Sequence, residues 1–349
     1  MEVIDSPPPG PEEPPPPRLR PKEKRLLWVT SIAAALALVA FAALAVTGAS
    51  FWTTGSEAAA TPTATPTPLD IPLYAAPDSN AAKAAANDPR FAELAAIPQA
   101  KWLSSWSTVE TAYDDASRYL QAADAAGEVP VLVLYQIPDR DCGLYAQGGL
   151  ATDQEYLTWV DEIARALNGH SNAIVIIEPD ALPMAGDCRD ETARVAQLGD
   201  VVSSLAPTGA RVYLDAGHSG WWGPDLMAQR LFDAGVGTIA GFSTNVSNFR
   251  STADEVAYAE AIRARLAELG VADAHYVIDT SRNGADVPSG EVCNPPEARV
   301  GARPQLFTGT ALDAYLWVKA PGEPDGPCNG APAGVYFWPE GALQLMGQN

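Results

Sequence analysis

Two carboxylates, Glu178 and Asp180, close an apolar run in the stretch AIVIIEPDALP, residues 173–183. Ile174 to Ile177 are four consecutive β-branched residues, the pattern of a strand buried on both faces of a parallel sheet. In α/β folds, ligands bind at the carboxyl ends of such strands. Acids placed there are either a salt-bridged strand exit or part of a site. Five other apolar runs end in the same way. Tyr135 leads into QIPDRDC with Arg140 and Asp141, and Leu214 into DAGHSGWW with Asp215, His218 and Trp221. Phe242 leads into STNVSNF with Asn245, and Ile278 into DTSRNG with Asp279, Arg282 and Asn283. Trp317 leads into KAPGEPDG with Lys319, Glu323 and Asp325. Several carboxylates facing one cleft push their pKa values apart, so one acid stays protonated beside ionised neighbours. Aromatic rings stack on the apolar C–H faces of sugars, while Asn, Lys and Glu bond their hydroxyls. Together these residues point to glycoside hydrolysis by paired acids.

The elements that must position this rim are legible as alternating patterns. Strand-like runs fall at Lys101–Leu103, Val129–Tyr135, Ala173–Ile177, Ala210–Leu214, Thr238–Phe242, His275–Ile278 and Ala314–Val318. Helical stretches lie at Val109–Ala126, Asp153–Leu167, Asp190–Leu205 and Thr252–Leu269. In the second of these, Tyr156, Val160, Ile163 and Leu167 follow the spacing of one buried face. About seven parallel strands with helical crossovers over residues 71–349 predict an α/β class and a barrel-like sheet. No GxGxxG or P-loop follows the first strands, so a nucleotide cofactor has no support.

The chain of 349 residues carries a net charge of -21, from 22 Lys+Arg against 43 Asp+Glu. So acidic a surface repels nucleic acid and anionic lipid and suits a neutral or cationic partner. Residues 1–25 are Pro-rich, end in the basic cluster RLRPKEKR and read as a cytoplasmic tail. Residues 26–48 are apolar enough and long enough to cross a bilayer, as a signal anchor or as a cleavable signal peptide. The length of the run favours the anchor, and either way the remainder is extracytoplasmic. Residues 49–70, rich in Thr, Pro and Ala, read as an extended linker, and 71–349 as the catalytic domain. Cys142, Cys188, Cys293 and Cys328 all follow the membrane segment, and three pairings are open to them. The simplest, Cys142–Cys188 and Cys293–Cys328, would stabilise by roughly 4 kcal/mol per bond. With no CxxC spacing and only three His, no metal site is expected.

YQIPDRDCG with the following Gly148-Gly149, and IVIIEPDALP, resemble the two signatures of glycoside hydrolase family 6, the inverting cellulases. LYAAPDSNAAKAAA, DAGHSGW, GFSTNVSNF, DTSRNG, CNPP and LWVKAPGEPDG resemble family segments in order, from about Leu73 to the C-terminus. The resemblance implies a distorted (β/α) barrel cutting β-1,4-glucosidic bonds with inversion. Asp180 would be the general acid, Asp141 the neighbour that raises its pKa and relays a proton, and Asp325 the candidate base. Tyr135 would crowd the sugar at the cleavage point. Lys319, Glu323, Asp215, His218 and Asn245 would bind hydroxyls, and Trp102 and Trp221 would be sugar platforms. The family's two disulfides match the sequential pairing.

Two departures from the family pattern stand out. The stretch after RDC usually holds a Ser that helps position the attacking water, and here it reads LYAQGG, with Ala146 and Gln147. Val292 stands where the family often has Trp. The domain is short for the family, which implies an open cleft and endo cutting of a β-glucan; the chain is expected to be a monomer. The competing expectations are a hydrolase for another cell-surface β-glycan, or a glycan-binding surface protein with weak or no turnover.

Overall fold

The computed structural model describes residues 65–348 apart from Tyr145 and Ser289. The expected tail and membrane segment, 1–48, and most of the linker lie outside the described residues. No helix among the described residues is long and apolar enough to cross a membrane.

In chain order the elements are β1 (Thr67–Pro68), α1 (Asn80–Ala85), α2 (Ala92–Ala95), β2 (Lys101–Leu103), α3 (Ala112–Ala126) and β3 (Val131–Leu134). They continue with α4 (Asp153–Leu167), β4 (Ile174–Ile177), α5 (Glu191–Leu205), β5 (Arg211–Asp215), α6 (Pro224–Asp233) and β6 (Gly241–Thr244). The last are α7 (Thr252–Glu268), β7 (His275–Asp279), β8 (Gln305–Thr308), β9 (Leu312–Leu316) and α8 (Pro339–Leu345). One mixed sheet takes the order β1-β8-β9-β7-β6-β5-β4-β3-β2. The seven expected strands, β2 to β7 and β9, pair in parallel. Two further strands are antiparallel, β8 on β9 and β1 on β8.

Every central strand is buried on both faces, and the side chains alternate between two cores. Val131, Val133, Ile174, Ile176, Tyr213 and Val277 fill the concave interior. Leu132, Leu134, Val175, Ile177, Leu214 and Ile278 face the helices. This two-sided burial is why the strands read as unbroken apolar runs. The curl brings β2 round towards the far end of β9. There the Ala100 N–H donates to the Trp317 carbonyl at 3.0 Å, and the Trp102 indole N–H to the Val318 carbonyl at 2.7 Å. The sheet is thus a distorted barrel whose seam is held by few bonds.

Local signals place the helices. Thr152 caps α4 by accepting from the Glu155 N–H at 3.2 Å, and Asp190 and Ser251 cap α5 and α7 in the same way. Gly127, in the left-handed region, ends α3. One crossover helix beyond the four expected, α6, starts on Pro224 at its first position. A 3-10 turn at Val236–Thr238 delays β6 to Gly241. β1 carries Pro68 and lies in the expected linker, and β8 has Leu306 as its only fully buried residue, so neither shows an apolar run. The disulfides are Cys142–Cys188 and Cys293–Cys328, the sequential pairing.

Gly241 lies between Tyr213 of β5 and His275 of β7. A Cβ there would come 1.8 Å from the His275 carbonyl oxygen, which is backbone and cannot move aside alone. Gly241→Ala is therefore expected to cost on the order of 3 kcal/mol, read as a lowered thermal midpoint.

Candidate active site

The parallel strands all deliver their C-terminal ends to one rim, and the chain leaves them through backbone that ordinary residues avoid. Asp139, Asp141, Cys142, Glu178, Asp180, Asn245 and Ser247 all have positive φ, between 43° and 71°. Such conformations persist only where surrounding bonds fix them. Here buried carboxylates do so. Glu178, at the end of β4, accepts the Gln136 N–H at 2.9 Å from the exit of β3. Asp215, ending β5, accepts the Asp180 N–H at 2.9 Å, the Gly217 N–H at 3.1 Å and the Ser243 hydroxyl at 3.0 Å. Asp279, ending β7, accepts the N–H groups of Ser247, Ser281, Val318 and Lys319 at 2.9–3.2 Å.

Two expected hydroxyl binders are therefore corrected. Asp215 is fully buried, and its carboxylate is occupied by internal donors rather than turned to the rim. Asn245 is also fully buried, donating to the carbonyls of Asp279 and Arg250 and accepting the Arg250 N–H. Both position the rim from beneath. Glu178 is likewise interior, so of the EPD acids only Asp180 reaches the rim.

Asp180 is partly exposed. Its carboxyl is held well above the usual range, first by burial and then by the charges of Asp215, Asp141 and Asp325, with Lys319 opposing. Asp141 is raised too, by burial, against the Ala146 N–H that it accepts at 2.6 Å and the Arg140 charge. Asp325 goes the other way. Burial alone would raise it, but Arg282 and Lys319 outweigh that and its pKa is lowered. The Arg282 guanidinium donates to it at 2.7 Å, the Asn294 N–H at 3.0 Å, and the Lys319 ammonium lies at 3.8 Å. The rim thus carries one acid shifted towards its neutral form and one shifted towards its ionised form. Arg282 was visible in DTSRNG, but only its contact with Asp325 reveals what it does.

Around these acids, Tyr135 carries the Arg140 guanidinium over its ring at 4.4 Å and meets Trp102 edge-on at 5.0 Å. Arg140 also donates to the carbonyls of Tyr135 and Ala146, fixing the loop that carries Asp141. Ala146 serves through its backbone alone, and Gln147 is exposed. Gly149, at φ 99°, lets this loop return: a Cβ there would meet the Ile137 carbonyl oxygen at 1.9 Å. The Cys142–Cys188 bond anchors the same loop. His218 and Trp221 lie together, ring centroids 5.5 Å apart, and are partly exposed. Burial and Arg250 lower the His218 pKa to about 4, so the ring is neutral and accepts the Gly220 N–H. Glu323 lies 3.8 Å from the Lys319 ammonium and is half-exposed. Val292 is exposed near Cys293.

Burial pushes both Glu178 and Asp215 up to about 7 in the folded chain. A raised folded pKa binds protons that the unfolded chain has released, so stability is full below about 4.5 and falls as pH rises through 7. Glu178→Gln keeps an acceptor for Gln136 and removes one titration. Its thermal midpoint should change less than the parent's between pH 4.5 and 7.

The model of the family "Glycosyl hydrolases family 6" matches residues 71–340. Endoglucanase A of Cellulomonas fimi is 44% identical over 254 residues, 72% of this chain and 55% of the relative. Endoglucanase A of Thermobispora bispora is 39% identical over 292 residues, 79% of this chain and 62% of the relative. The chain thus spans little more than half the length of these two. Among solved structures, the endoglucanase Cel6 of Mycobacterium tuberculosis, in complex with methyl-cellobiosyl-4-deoxy-4-thio-β-D-cellobioside, superposes with a TM-score of 0.74. It is 42% identical, with 80% of this chain and 97% of that one covered. The chain belongs to glycosyl hydrolases family 6.

Proposed function

We propose that this protein hydrolyses β-1,4-glucosidic bonds of cellulose or related β-glucans, cutting within chains and inverting the anomeric centre. The observation that carries this reading is the opposed tuning of Asp180 and Asp325 on one rim. Asp180, kept neutral, protonates the leaving glycosidic oxygen. Asp325, kept ionised by Arg282 and Lys319, takes the proton of the attacking water on the opposite face of the sugar. Asp141 adds to the field that holds the Asp180 proton and relays a proton from solvent. Tyr135 crowds the sugar at the cleavage point, Trp102 and Trp221 stack on neighbouring sugars, and Lys319, Glu323 and His218 bond hydroxyls. The relatives named endoglucanases support the substrate class and the endo mode. We place the catalytic domain outside the membrane, tethered or released at its N-terminal segment.

Wild-type chain on carboxymethyl cellulose should release reducing ends while viscosity falls, with α-anomeric product by NMR. Asp180→Ala should lose at least about a hundredfold in rate. Equal activity in that variant, or β-anomeric product, would overturn the reading. The pH profile of kcat/KM should be bell-shaped, failing in acid as Asp325 protonates and in base as Asp180 ionises. Lys319 favours the ionised form of both acids, so Lys319→Ala should move both limbs to higher pH.

A further inference from the structure

Trp106, on the exit of β2, is half exposed. Its indole N–H donates to the Trp102 carbonyl at 3.1 Å, so the ring is folded back beside the outer strand of the seam. The Lys101 ammonium lies over the ring, 5.1 Å from its centroid, and is itself 3.7 Å from an oxygen of Asp78. With a cation on one face and about half of the residue still accessible, an open ring surface remains for a ligand. Ser105, one residue before, accepts a long bond of 3.4 Å from Arg140, which ties this exit to the loop carrying Asp141.

These contacts lead outward from the loop that carries Asp141. The Arg140 guanidinium lies over the Tyr135 ring, Trp102 meets that ring edge-on, and the Trp106 indole N–H bonds the Trp102 backbone carbonyl. We propose that Trp106, with Lys101 and Asp78 beside it, is an outlying platform for one more glucose unit of a β-1,4-glucan lying across the rim. This rests on the hydrolytic reading above. The indole offers a flat apolar surface to the C–H face of a pyranose, and Lys101 and Asp78 supply a donor and an acceptor for its hydroxyls. No charge on the ligand is required, which suits a neutral polysaccharide on so acidic a protein. A chain long enough to reach from Asp180 past Trp102 gains this contact, and a short oligosaccharide does not.

The test compares cellohexaose with cellotriose on the full chain, for wild type, Trp106→Ala and Trp106→Gln. Gln deletes the ring but keeps an N–H for the Trp102 carbonyl, so it decides the matter if the Ala variant does not fold. The ratio of kcat/KM for the six-unit to the three-unit substrate should fall about tenfold in either variant and be largely restored in Trp106→Phe. A ratio equal to that of wild type, whether both rates fall together or neither does, would overturn the platform. Should the wild type cleave neither oligosaccharide, the hydrolytic reading fails instead. Calorimetry of cellohexaose on Asp180→Ala with and without Trp106→Gln would then decide the platform, with weaker binding expected in the double variant and equal affinity overturning it.

Discussion

A buried carboxylate that bonds the backbone of a neighbouring strand's exit is the interaction on which the rest of this rim depends. Glu178 holds the exit of β3, Asp215 the exit of β4, and Asp279 the exits of β6 and β9. Short parallel strands end in loops whose N–H groups would otherwise be buried without partners. A carboxylate accepts several of them at once, and charge-assisted bonds of this kind are stronger than neutral ones. The positive-φ turn that aims Asp180 is tolerated because this frame over-determines it, while Arg140 and the Cys142–Cys188 bond hold the turn that carries Asp141.

The same frame sets the electrostatics. Fixing so many acids beneath one surface raises the cost of ionising any acid lying above them. Asp180, whose own N–H is held by Asp215, feels that field most directly. Arg282 and Lys319 both lie beside Asp325. Burial and this field push Asp180 towards its neutral form, while the two cations favour the ionised form of Asp325. Support and tuning share the same atoms, so a change to the lower layer alters both at once.

Much of this was readable in the chain. The seven parallel strands declare themselves as apolar runs because both faces are covered, and Asp180, Asp141 and Asp325 sit in motifs at their ends. What could not be read was which terminal polar residues face inward. Asp215 and Asn245 have the residue types of sugar ligands, yet both are fully buried and committed to backbone. The alternation that orients side chains along a strand stops where φ turns positive, as at Glu178, Asp180 and Asn245. Facing is then decided by bonds between strand exits far apart in sequence. β1 and β8 were hidden for another reason: β1 is an edge strand and β8 has only one buried residue, so neither needs an apolar run.

β1 also bears on how the domain carries load. Thr67 and Pro68 pair with Thr308 and Phe307, and the Leu69 N–H and carbonyl are both bonded to β8 through Leu306 and Gln305. The preceding chain thus enters the fold as an added strand on the antiparallel edge, not through a parallel strand that ends at the acids. A pull on the chain before Thr67 would load this short ribbon before any parallel strand that ends at the acids.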